Sequence, residues 1–136
     1  MTAATIFDPV PDLTALDHEF ARSADGAVLL FLHDPYCPIS DAAYGELTQL
    51  GQRVALIDVA VGRDLSRAVE QRTGVHHESP QVLVLHDGRA IWSASHGYIR
   101  TATVAAALDQ PGDEQHRGDA TDAAPAPARR WWRRRR

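Results

Sequence analysis

Of 136 residues only one is a cysteine, and it stands in the run Tyr36-Cys37-Pro38-Ile39-Ser40. A lone cysteine does chemistry as a thiolate, so it needs surroundings that stabilise negative charge on sulfur. Proline favours the first position of a helix, and Pro38 therefore predicts a helix with Cys37 as its N-cap. A sulfur so placed faces the unpaired amides of Ile39 and Ser40 and the positive end of the helix dipole, and both favour thiolate over thiol. Asp34 and Asp41 flank the site and oppose that charge, but the helix terminus acts at contact distance and is expected to prevail. Ser40 stands where a dithiol motif carries its second cysteine. Its hydroxyl is expected to hydrogen-bond the thiolate, yet it has no sulfur with which to resolve a mixed disulfide. The competing reading is a buried, inert cysteine. Against it, Cys37 falls at a loop-to-helix junction rather than inside an apolar run.

The elements that must position Cys37 are legible in the patterning. Pro11-Asp12-Leu13 opens an amphipathic helix, with Leu13, Leu16 and Phe20 at helical spacing and Asp25-Gly26 closing it. Residues 27–32 are a continuous apolar run, as expected of a strand buried on both faces. His33-Asp34-Pro35-Tyr36 is then a short loop. Residues 38–50 read as a helix stopped by Gly51, 54–61 as a second buried strand, and 64–72 as a helix ended by Gly74. Residues 82–85 and 90–95 flank Asp87-Gly88, a strong hairpin signal, and 101–108 form a last helix. Alternating strands and helices give a parallel pair, and the hairpin adds an antiparallel edge. That order is the thioredoxin arrangement, an α/β fold with a central mixed sheet flanked by helices.

In such a fold the segment Glu78-Ser79-Pro80-Gln81, just before the hairpin, brings a cis-proline to face the cysteine. The backbone of Ser79 is then free to pair with a bound peptide or thiol. Tyr36, Pro38, Ser79 and Pro80 are accordingly the expected substrate-binding residues, beside Cys37 and Ser40 as the catalytic ones. Trp92 and Tyr36 also read as packing residues. The adjacent His76 and His77 point in different directions and have no second cysteine to join them, so no metal site is expected. His33 and His96 each end a strand on the side of the cysteine and are candidates to stabilise the thiolate, with a structural role as the alternative.

Residues 31–40 (FLHDPYCPIS), 73–81 (TGVHHESPQ) and 90–96 (AIWSASH) together resemble the monothiol bacilliredoxin family, the YtxJ-like branch of the thioredoxin superfamily. The likeness spans roughly residues 8–108 and loosens at Gly97 and Tyr98. It implies removal of a low-molecular-weight thiol, bacillithiol, from S-thiolated proteins. Cys37 would attack the mixed disulfide, with Ser40 and Pro80 at the family's motif positions. The small thiol is then a co-substrate, and no bound cofactor is implied. Two other classes stay open on the residues alone: a redox-inactive thioredoxin-fold adaptor, and an iron–sulfur cluster carrier using Cys37 with an external thiol.

Composition bounds the rest. A core of residues 1–110 is long enough for one hydrophobic core. No apolar run approaches the roughly 20 residues that a membrane helix needs. Residues 1–11 carry no basic residue and no apolar segment, so no secretory signal is expected. One cysteine makes no internal disulfide, and a cytoplasmic location is the expectation. Within residues 1–110 fourteen acids stand against seven arginines, whereas the last eight residues are six arginines and two tryptophans. Residues 111–136 are poor in apolar residues other than alanine and are expected to form a disordered tail. Its Arg/Trp cluster is suited to an anionic membrane surface or to nucleic acid, with a merely solubilising role as the alternative.

Overall fold

The computed structural model describes residues 3–109. The tail expected from residue 111 lies outside them. A strand β1 (Ile6–Pro9) leads into helix α1 (Leu13–Arg22), followed by β2 (Val28–His33), α2 (Pro38–Leu47), β3 (Arg53–Asp58), α3 (Arg63–Thr73), the hairpin β4 (Gln81–His86) and β5 (Arg89–Ser95), a short 3-10 turn (His96–Tyr98) and α4 (Thr101–Leu108). The sheet order is β1-β3-β2-β4-β5. β1 and β2 both run parallel to β3, while β4 is antiparallel to β2 and to β5.

Every residue of β2 is buried, because the strand is central and covered on both faces. Alternation divides its side chains between two cores. Leu29 and Phe31 join Ala43 and Leu47 of α2 and Val104 and Ala107 of α4. Val28, Leu30 and Leu32 join Leu16 and Phe20 of α1 and Leu65 and Val69 of α3. Trp92 packs into the first of these cores, as expected.

Local signals place the chain reversals. Asp12 caps α1 by accepting the Ala15 N–H on Oδ1 at 2.8 Å. Gly74 ends α3 with φ 74°, in the left-handed conformation that glycine adopts freely. Asp87 and Gly88 both have positive φ, 53° and 75°, as a primed two-residue hairpin requires.

Several boundaries differ from the sequence reading, among them the end of β2, which includes His33 rather than leaving it in the loop because His33 is still in register with Asp58 of β3. β1 carries no signal in the sequence: four residues at a sheet edge, ending in proline, show neither alternation nor an apolar run, and only pairing with β3 makes them a strand. α2 stops at Leu47 rather than at residue 50, as Thr48 turns its hydroxyl onto the Gly45 carbonyl at 2.6 Å. β3 stops at Asp58 rather than at residue 61, because the Asp58 side chain accepts the Ala60 N–H at 2.9 Å and bends the chain.

Candidate active site

The sheet topology gathers four chain reversals at one end. His33, the last residue of β2, is level with Asp58, the last of β3. Leu32 pairs with Gln81 at the start of β4, and Gln81 pairs with Ser95 at the end of β5. The segments 34–37, 59–62, 75–80 and 96–98 therefore meet at the same edge.

Cys37 lies in the first of these segments, half-buried, with extended backbone (φ −110°, ψ 122°) as the N-cap of α2, and Pro38 opens the helix. Its own N–H donates to the Asp34 carbonyl at 3.1 Å, and its carbonyl accepts the Asp41 N–H at 2.9 Å. The sulfur makes no capping hydrogen bond to the helix amides, which departs from the contact expected of the N-cap position. What remains at the sulfur is the through-space field of the helix.

Ser40 is placed differently from expectation. It is fully buried, and its Oγ lies 2.7 Å from His33 Nδ1 and accepts the Asp34 N–H at 2.9 Å. Neither bond is to the thiol. On the first turn of α2, packing against β2 turns this side chain inward to the strand end. His33 is buried, with its ring centroid 5.1 Å from that of Phe31 and 5.2 Å from that of Tyr44. Burial holds its pKa below the ordinary histidine value, and outweighs the opposing pull of Asp58, Asp41 and Asp34. Alternation along β2 could have signalled that His33 shares the Phe31 face. Nothing in the sequence pairs it with Ser40.

The Ser79–Pro80 peptide bond is cis, as the fold led us to expect. Pro80 is buried, and its carbonyl accepts the His96 N–H at 3.0 Å. The Ser79 hydroxyl oxygen is buried without a hydrogen-bond partner. Gln81, which the sequence reading gave no role, braces this segment: its side chain donates to the His76 carbonyl at 2.9 Å and accepts the Glu78 N–H at 3.3 Å. His96 is exposed, with φ 54° and Nε2 4.0 Å from Glu78 Oε1. His76 and the His77 N–H are both held by Glu70, at 3.8 Å and 3.0 Å.

Tyr36 is 85% exposed, so it packs against nothing substantial; this corrects the packing reading and leaves it on the rim of the site. Ile39, Val61 and Tyr98 are exposed too, and all four belong to segments at this end of the sheet. The result is a half-buried cysteine with exposed apolar side chains and a cis-proline loop on segments at the same end of the sheet.

Fold and site define a thioredoxin-fold thiol protein with a single cysteine. The chain belongs to the monothiol bacilliredoxin family: the family described as monothiol bacilliredoxin BrxC matches residues 10–104. Among solved structures, it is similar to a candidate oxidoreductase with a thioredoxin fold at 25% identity and a TM-score of 0.70, covering 75% of this chain and 93% of that one. A mutant thioredoxin from Halobacterium salinarum (18% identity, TM-score 0.60, 80% and 93% covered) shares the fold. So does a thioredoxin from Malassezia sympodialis (11% identity, TM-score 0.61, 86% and 95% covered). Family and fold together make this a thiol oxidoreductase. Among the described residues no helix is long and apolar enough to cross a membrane.

Proposed function

We propose that the protein removes a low-molecular-weight thiol, bacillithiol, from protein mixed disulfides through Cys37. The observation that carries this reading is the half-exposed Cys37 at the head of α2, whose sulfur is not tied up in any capping bond. The Cys37 thiolate attacks the sulfur of the small thiol. A new Cys37–thiol disulfide forms, the old disulfide breaks, and the substrate protein leaves as a thiolate that takes up a proton. A second low-molecular-weight thiol then attacks the small-thiol sulfur on Cys37, which frees the Cys37 thiolate and releases a symmetrical small-molecule disulfide. That step needs an external thiol because Ser40 offers no sulfur. The backbone of Ser79, ahead of Pro80, would pair with the bound substrate. Tyr36, Pro38, Ile39, Val61 and Tyr98 offer an apolar rim suited to a polypeptide rather than to the small thiol alone.

The test is transfer followed by intact-mass spectrometry. A bacillithiolated protein incubated with the chain should lose the adduct as Cys37 gains it, and free thiol should then clear Cys37. Cys37→Ser should abolish the transfer. Release that survives this substitution would exclude Cys37 as the attacking thiol and with it this reading. Equal rates with a glutathionylated substrate would retain the chemistry and remove the preference for bacillithiol.

A further inference from the structure

Beneath Cys37 lies a polar chain that the exchange reaction, as written above, does not use. Ser40 Oγ has two partners, Asp34 N at 2.9 Å and His33 Nδ1 at 2.7 Å. The Asp34 amide can only donate. The hydroxyl accepts from it and has one proton of its own to give, and Nδ1 is the acceptor within reach. His33 is then neutral, with its ring proton on Nε2, which agrees with the burial that disfavours its charged form.

Asp34 in turn holds the rest of the turn. Its carbonyl accepts the Cys37 N–H at 3.1 Å and its Oδ1 accepts the Tyr36 N–H at 2.9 Å. The sulfur-bearing segment thus hangs from Asp34, Asp34 from Ser40, and Ser40 from His33. The His33 ring sits against Phe31 and Tyr44, so the far end of the chain is anchored in the core.

Resting on the monothiol reading, we propose that His33 is a positioning residue for Cys37, acting through the Ser40 hydroxyl to set the turn from which the thiolate attacks. Protonation converts Nδ1 from acceptor to donor. The Ser40 hydroxyl proton then loses its acceptor in a fully buried place, and the hold on Asp34 is disturbed. The groups facing the ring are Asp58 on β3, Asp34 on the loop, Phe31 on its own strand, and Ser40, Asp41 and Tyr44 on α2. The three aspartates favour the charged ring and burial opposes it, so the change belongs to the acid side of neutrality.

Alkylation of Cys37 by iodoacetamide in the full chain, followed by intact mass between pH 5 and 8, tests this, the window being about that in which histidine titrates. In acid the wild-type rate should fall more steeply than loss of the thiolate alone requires, since a second proton binds. His33→Leu and Ser40→Ala should slow alkylation at neutral pH about threefold or more, as misplacement of a nucleophile does. His33→Asn puts an Oδ1 acceptor close to where Nδ1 stands but does not titrate. It should restore most of the rate that His33→Leu loses and show only the single-proton dependence in acid. A wild-type alkylation rate in His33→Leu, or a steep acid limb that persists in His33→Asn, would overturn the proposal. If circular dichroism shows His33→Leu unfolded, the acid limb of His33→Asn decides alone. The assay needs neither bacillithiol nor a protein substrate, so its failure is separable from failure of the transfer reaction.

Discussion

Burial and charge pull His33 in opposite directions, and the outcome has a thermodynamic consequence at that residue. Its folded-state pKa lies below the ordinary value, with burial as the first cause. Between the unfolded value of about 6.5 and the lower folded value, the unfolded chain binds more protons than the folded one. Stability contributed by the neutral, Ser40-bonded ring is therefore complete above pH of about 6.5, declines as pH falls below it, and levels off below the folded value. Urea denaturation of wild type and His33→Asn at several pH values measures the effect. The wild type should lose more stability than the variant on acidification, and equal losses would show that His33 is not held neutral by the fold.

At the scale of elements, α4 is fastened to α2 by a carboxylate that replaces a missing cap. Arg100, the N-cap of α4, makes no side-chain capping bond. Glu46 of α2 supplies one instead, its Oε1 accepting the Thr101 N–H at 2.8 Å and the Thr101 hydroxyl lying 2.9 Å away. The same hydroxyl is 2.7 Å from the Glu46 carbonyl. The Thr101 hydrogen bonds, backbone first, hold the Glu46 pKa below the usual carboxylate value. The stabilisation is present above the unfolded carboxylate range and is lost as pH falls through the lower folded value. Glu46→Ala should lower Tm at neutral pH, with the gap to wild type closing in acid. Thr101→Val keeps the N–H bond and should cost about 1 kcal/mol, the typical worth of one hydrogen bond. A Tm difference for Glu46→Ala that is the same at neutral and acid pH would show that the charge does not cap α4.

For the whole molecule, charge is segregated along the chain. The described part is acidic and is tied internally by the Arg53 guanidinium, which bonds Glu19 of α1 at 2.6 and 2.8 Å and Asp8 of β1 at 3.0 Å. Those bonds hold Arg53 more firmly protonated than an ordinary arginine. The six terminal arginines lie outside the described residues. Basic residues near an anionic surface contribute roughly 1 kcal/mol each, and salt screens that attraction. Deleting residues 111–136 should leave Cys37 alkylation unchanged and remove salt-sensitive co-sedimentation with anionic liposomes or nucleic acid. Equal co-sedimentation of full-length and truncated protein would leave the cluster without that role, and slowed alkylation on truncation would mean that the tail contacts the acidic core.

The sequence by itself determined the features that depend on near neighbours. Pro38 opens α2, Gly74 ends α3, Asp87-Gly88 turns the hairpin, and the apolar run of β2 marks the central strand, since backbone conformation and hydrophobic periodicity act within a turn or two. Cys37 and Pro80 were legible for the same reason, as positions tied to an element boundary. Only the tertiary structure decided where the polar side chains point. Ser40 turns from the thiol to His33 because α2 packs that face on β2. Gln81 braces the cis-proline loop from a buried strand end, and Glu19 is buried beside an Arg53 that lies 34 positions away in the chain. β1 exists only because β3 offers it an edge. Each of these outcomes depends on what a distant segment places beside a donor or acceptor that burial would otherwise leave unsatisfied, and local patterning carries no record of that neighbour.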